Sequence, residues 1–184
     1  PMASRNLSNQ IEQSSVDALV EACVNGFPIV ARYYRLKQQL LKLDQLLDYD
    51  RYAPLSADLP SYDWAAAQDI VVESYHDFSS TLGEVASRAF AEHWIDAELR
   101  QGKRGGAFSM GGTTNTHPYI LANYTDTVRD VMTIAHEMGH TVHQFLSYRV
   151  GYLQAHTPLT TAETASVFGE MIVFRRLLEA QTSD

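Results

Sequence analysis

Residues 126–149 read DTVRDVMTIAHEMGHTVHQFLSYR. Asp126 is placed to cap a helix that runs to about Arg149. Inside it stands His136-Glu137-Met138-Gly139-His140, an H-E-x-x-H. Residues four apart on a helix differ by about 40° around its axis and lie one turn along it. Both imidazoles therefore leave the same side, close enough to share one metal ion. Zinc accepts neutral imidazole nitrogen and suits a tetrahedral site. Glu137 lies beside them, where a carboxylate can take a proton from metal-activated water and pass it to a leaving amine. For a chain of this composition the pattern is expected by chance about 0.014 times. Two histidines on a solvated helix face are therefore the weaker reading.

Two histidines do not complete a catalytic zinc site, which takes three protein ligands and keeps one position open. The metzincin arrangement needs Gly at position 143 and His at 146, where this chain has His143 and Leu146. The remaining option is a carboxylate on the following helix, expected from about Thr161 to Ala180. Glu163 and Glu170 are seven apart and nearly aligned on one face of it. About ten extended residues reach roughly 30 Å, so the loop after Arg149 returns easily to the metal. Thr160-Thr-Ala-Glu163 also fits a capping box, and spacing alone does not choose between cap and ligand. Glu170 is either the ligand itself or a carboxylate that orients a ligand histidine. His143, one turn past His140, serves packing or a hydrogen bond, or adds a ligand.

The surroundings are mostly helical. Val16–Val24 and Ile29–Leu47 read as helices separated by Gly26 and Pro28. Leu36, Leu40, Leu43 and Leu47 form one apolar stripe in the second. A connector covers Tyr49–Pro60. Asp63 caps a helix to about His76, and Ser79 or Ser80 caps another that runs to about Arg100. On that helix Leu82, Val85, Ala86, Ala89, Phe90, His93 and Trp94 share a face, which makes His93 a core histidine. Glycines then cluster around Ala107–Met110, and Tyr119–Tyr124 follows Pro118, so two short strands are expected. The fold class is mainly α with a small β-sheet.

Composition narrows the function classes. The chain has 184 residues, a formal net charge of −8 and one cysteine, Cys23. The charge argues against a nucleic-acid partner, and Lys103-Arg104 with Arg100 is too short a basic patch to reverse that. The trio is at most a counter-charge for a substrate carboxylate. A lone cysteine forms neither an internal disulfide nor a cysteine zinc site, and Cys23 reads as an inert core residue. No unbroken apolar run approaches the roughly 20 residues of a bilayer span. No membrane partner and a cytoplasmic location are therefore expected. His76 and His156 read as surface residues, and Tyr33-Tyr34 as packing.

Several pieces together resemble the thimet oligopeptidase/oligoendopeptidase F family of zinc peptidases. The carriers are His136–His143, Glu163-Thr-Ala-Ser-Val-Phe-Gly-Glu170, Tyr33-Tyr-Arg-Leu, Tyr49-Asp-Arg-Tyr-Ala-Pro54, Gly102-Lys-Arg-Gly-Gly-Ala-Phe-Ser109 and Thr116-His-Pro-Tyr-Ile-Leu-Ala-Asn-Tyr124. The resemblance implies one zinc ion held by His136, His140 and Glu163, with Glu137 as general base and Glu170 supporting. It implies a zincin-like helical catalytic core and short peptides as substrates. It also gives the glycine-rich segment a role: an edge strand at Gly105–Ser109 that pairs with extended substrate. Gly106, Ala107 and Ser109 become substrate-binding candidates. His117, before Pro118, is either a substrate contact or a turn-stabilising residue.

The same resemblance makes the whole chain a fragment of one catalytic domain. Residues 1–60 are a helical segment and connector, and 61–184 the zinc-binding core. The start at Pro1 and the stop at Asp184 fit a piece cut from a longer parent chain, whose remaining parts become partners. The family's tyrosine and histidine residues that hold the tetrahedral intermediate come from beyond the third ligand. Two alternatives stand beside a working metalloendopeptidase. One is a non-catalytic zinc- or peptide-binding fragment. The other is a zinc hydrolase acting on a different bond, since the motif defines a metal site and not a substrate.

Overall fold

The computed structural model describes residues 2–56 and 59–182. It divides into two compact units, Pro1–Leu59 and Pro60–Asp184. The first contains α1 (Met2–Asn9), α2 (Gln13–Leu40) and a single 3-10 turn over Asp48–Tyr52. Two helices were expected where α2 runs unbroken, with Pro28 in its interior. The proline removes the bond to the carbonyl of Val24, one turn back. Val24 is exposed, so water can donate to that carbonyl in place of the missing N–H. The expected leucine stripe is cut at Leu40, leaving Leu43 and Leu47 outside the helix. The helix stops there in a Schellman turn, with Lys42 N, at φ +55, donating to the Gln39 carbonyl and Leu43 N to the Gln38 carbonyl. Buried Lys37 donates through Nζ to the Arg51 carbonyl at 2.7 Å. Cys23 is exposed, not core, since its helix has no packed face at that point. Averaged over 18 residues, α2 reaches a mean hydropathy of 1.2, long and apolar enough to cross a bilayer by length and composition alone. The count of unbroken apolar residues did not show this.

The second unit carries α3 (Trp64–Phe78), α4 (Ser80–Ala91), β1 (Ile95–Asp96), β2 (Phe108–Met110), β3 (Tyr119–Leu121), α5 (Val128–Ser147) and α6 (Leu159–Thr182). A short 3-10 turn over Tyr148–Val150 extends α5. The sheet order is β1-β3-β2, with β1 parallel and β2 antiparallel to β3. Ala67, Val71, Tyr75, Trp94, Ile134 and Met138 are among the buried residues of one core that joins the helices to the sheet. Asp63 accepts from Ala66 N at 2.8 Å and starts α3 as expected.

Helix α4 stops at Ala91, nine residues before the expected end. Trp94 N–H reaches back to the Ala89 carbonyl and His93 N–H to the Phe90 carbonyl. These are the two bonds of a Schellman stop, with His93 at φ +59 in the left-handed position. The turn delivers Trp94 to the core and leaves His93 exposed. The periodic pattern therefore continued past the helix, and His93 is not a core histidine.

Helix α5 is capped by Thr127, not Asp126, whose φ is +63. Thr127 Oγ1 accepts from Asp130 N, and Asp130 Oδ2 accepts from the amides and hydroxyls of Thr125 and Thr127. Partial burial pushes the Asp130 carboxyl up, but these hydrogen bonds prevail and hold it below the usual carboxylate range. A depressed folded pKa adds stability above the unfolded pKa and loses it as pH falls through the folded one. Asp130→Ala should therefore cost about 1 kcal/mol at neutral pH. Urea unfolding from pH 7 to 3 should show the gap to the parent closing; a constant gap contradicts the cap.

Candidate metal centre

Helix α5 buries Val131, Ile134, Ala135, Met138 and Val142, and that packed face sets where its histidines face. The rings of His136 and His140 lie 4.9 Å apart, nearly perpendicular. Helix α6 brings Glu163 across from them, its Oε2 lying 3.4 Å from His136 Nε2 and 3.6 Å from His140 Nε2. Nitrogen and oxygen on a tetrahedral zinc, with bonds of about 2.05 Å, are about 3.3–3.4 Å apart. The spacing thus fits ligands around one ion better than a direct hydrogen bond. Ligand atoms of all three residues lie within 4.8 Å of one another. Two imidazole nitrogens and a carboxylate oxygen are a zinc-type donor set.

The neighbours prepare those donors. Glu170 Oε2 lies 3.0 Å from His136 Nδ1, so Nδ1 donates to it and the Nε2 lone pair faces Glu163. Ser166 Oγ donates to Glu163 Oε2 at 2.9 Å, fixing a carboxylate that is otherwise half exposed. Thr160 is the second residue of α6 instead of the residue before it, and Glu163 turns to the histidines. Burial holds the His140 imidazole below its ordinary pKa, with the nearby His136 and His143 acting the same way and Glu163 opposing. A neutral imidazole is the form that binds metal.

Glu137 is buried on the same turn. Burial pushes its carboxyl up, and Glu163 and Glu170 add to that. The His136 ring and the Ser109 backbone amide oppose the shift. The amide ties Glu137 to β2. Ser109 Oγ also lies 2.8 Å from Thr141 Oγ1 and donates to Gln144 Oε1 at 3.0 Å. Gly112 N donates to Tyr148 OH at 2.8 Å. Sequence reasoning missed Thr141, Gln144 and Tyr148. The available signal was that Gln144 and Tyr148 follow His140 at four and eight residues, one and two helical turns on. A cavity of about 100 Å³ lies beside His140, lined by His143, Gln144, Tyr148 and His156 among others.

Strand β2 begins at Phe108, not Gly105. Gly106 is exposed at φ +84, and its carbonyl and that of Arg104 accept from Asn123 Nδ2. Gly106 therefore belongs to a turn, while Ala107 is half-buried and Ser109 reaches α5. His117 stacks on Trp94 at 4.6 Å and bonds the Pro118 carbonyl through Nδ1. Its own turn and the Trp94 ring hold it in place. Arg100 and Lys103 are engaged by Asp96, so they are not a free counter-charge for substrate.

Residues 2–184 match Peptidase family M3. The chain belongs to that family. It is 34% identical over 178 residues to the group B oligopeptidase PepB of Streptococcus agalactiae, covering 96% of this chain and 30% of that protein. It is 31% identical over 179 residues to the chromosomal oligoendopeptidase F of Lactococcus lactis subsp. cremoris, covering 97% and 30%. A crystal structure attributed to a peptidase of Chlamydophila abortus superposes with a TM-score of 0.74 at 30% identity, over 95% of this chain and 30% of that one. A structure of PZ peptidase A with an inhibitor shares the fold at a TM-score of 0.70 and 21% identity, over 80% and 27%. The M3 chain described here thus spans about 30% of the length of these relatives.

Proposed function

We propose that this chain carries the metal-binding core of a zinc-dependent metalloendopeptidase that hydrolyses short oligopeptides. The observation that carries the reading is the convergence of His136 Nε2, His140 Nε2 and Glu163 Oε2, with buried Glu137 beside them. When bound there, zinc supplies Lewis acidity, which polarises a carbonyl and acidifies water. His136, His140 and Glu163 hold it. Glu170 keeps His136 in the Nδ1-protonated tautomer, and burial keeps His140 neutral. Glu137 accepts a proton at its carboxylate and returns it to the leaving amine. Its raised pKa suits it to both halves of that transfer. The outer edge of β2 is the face on which an extended peptide gains backbone hydrogen bonds. The names of the curated relatives, oligopeptidase and oligoendopeptidase, support short peptides as the substrate class.

The test is a metal analysis paired with cleavage of an internally quenched peptide. The reading expects one zinc per chain and hydrolysis that a chelator stops and added zinc restores. Zinc binding without hydrolysis favours the fragment reading, in which groups outside this chain supply transition-state contacts. No retained zinc overturns the assignment of the site.

A further inference from the structure

Helices α5 and α6 meet backbone to backbone at two notches. A Cβ on Gly139 would lie 2.5 Å from the Ala165 carbonyl oxygen and 2.7 Å from Ser166 Cα. A Cβ on Gly169 would collide with the Tyr75 hydroxyl and come within 2.9 Å of the Ala135 carbonyl oxygen. The notches alternate with the candidate ligands. Ala135 and Gly139 directly precede His136 and His140. Ser166 holds Glu163, and Gly169 directly precedes Glu170. The register in which α6 seats on α5 is therefore the register in which the carboxylates reach the imidazoles.

Tyr75 enters this crossing from α3. It is buried, and its hydroxyl donates to the Ala135 carbonyl at 2.9 Å. That carbonyl opens the turn that carries the H-E-x-x-H and already pairs along the helix with Gly139. The space over Gly169 is filled by the same hydroxyl. We infer that Tyr75 is a positioning residue for the metal centre: wedged over Gly169 and bonded to Ala135, it seats α6 on α5 so that Glu163 and Glu170 meet His136 and His140. The inference rests on the metal-site reading above. Simple core packing is the competing account, and it needs only the ring.

Tyr75→Phe keeps the ring and removes the hydroxyl. In the full 184-residue chain it should leave helix content by circular dichroism unchanged and weaken zinc binding about tenfold. Gly169→Ala should weaken it about a hundredfold, the upper end for groups that orient ligands. Combining Tyr75→Phe with Gly169→Ala should recover part of that loss, because the new methyl gains room. The same change should not rescue Gly139→Ala, whose obstacle is the backbone of Ala165 and Ser166. Cobalt substitution should show altered visible bands in Gly169→Ala, reporting a changed ligand set.

Equal zinc affinity in the parent and Tyr75→Phe, or no relief in the double variant, overturns the inference. A metal-free readout keeps the two readings apart. In the apo chain, imidazole nitrogen shifts should show His136 mainly as the Nδ1-protonated tautomer, and Tyr75→Phe should move it toward a free-imidazole mixture. If the parent binds no zinc, the metal reading fails, and this spectrum still decides the role of Tyr75. Unchanged His136 shifts in Tyr75→Phe count against the positioning role.

Discussion

Glu137→Gln is expected to retain zinc at the parent stoichiometry while peptide turnover falls about 10²–10⁴-fold. The side chains are nearly isosteric, and the amide oxygen of Gln can still accept from the Ser109 backbone. The candidate metal-binding group of His136, His140 and Glu163 does not include position 137, so affinity for the ion has no reason to change. What disappears is a basic oxygen beside the two imidazoles. The environment of Glu137 supports this role: burial raises its carboxyl, and the neighbouring carboxylates raise it further. A carboxyl whose pKa is higher folded than unfolded lowers stability as pH rises through that window. Gln carries no such charge, so the metal-free variant should be at least as stable at pH 7 as the metal-free parent. Thermal unfolding checks the second expectation and steady-state cleavage the first. A variant that cleaves as fast as the parent removes Glu137 from the reaction, whatever the zinc content.

The pair of histidines was legible because its requirement is local. One helical turn places both rings on one side, and nothing distant has to be known. The candidate third ligand was not legible from spacing, because Glu163 satisfied a capping pattern equally well. Only the seating of α6 on α5 turns its carboxylate to the imidazoles. The family resemblance favoured Glu163 as ligand where spacing left the choice open. Helix ends failed for a related reason. Apolar periodicity continued through His93 and Trp94, yet Trp94 is buried through a turn that needs a left-handed His93. Strand β1 went unseen since its two residues are strand only by pairing with β3, with Ile120 N donating to Trp94 O and Ala122 N to Asp96 O. Pro28 was read as a break because its cost is local, whereas the hydration that relieves it depends on exposure. Gly139 and Gly169 looked unremarkable in the sequence, and their meaning lies in a backbone on another helix.

Two carboxylates on α6 face the same imidazole, and replacing each should separate their roles. Glu163→Ala removes the oxygen that lies 3.4 and 3.6 Å from the two Nε2 atoms. Glu170→Gln leaves that oxygen and changes only the acceptor 3.0 Å from His136 Nδ1. Removing a group that orients a ligand lowers metal affinity about 10–100-fold. Removing a ligand should exceed that range, since two imidazoles alone leave the ion with half of a tetrahedral shell. Competition with a chromophoric chelator measures both constants at one pH. Gln at 170 can still accept from Nδ1–H through its amide oxygen, but as a neutral partner it makes the imidazole a poorer donor to metal. Glu170→Gln should therefore keep zinc at millimolar excess and lose it to the chelator earlier than the parent does. If Glu170→Gln is the more damaging change, Glu170 is the ligand and Glu163 the support. The opposite order is expected because Glu163 alone on α6 reaches both histidines, whereas Glu170 approaches His136 on the face turned away from His140.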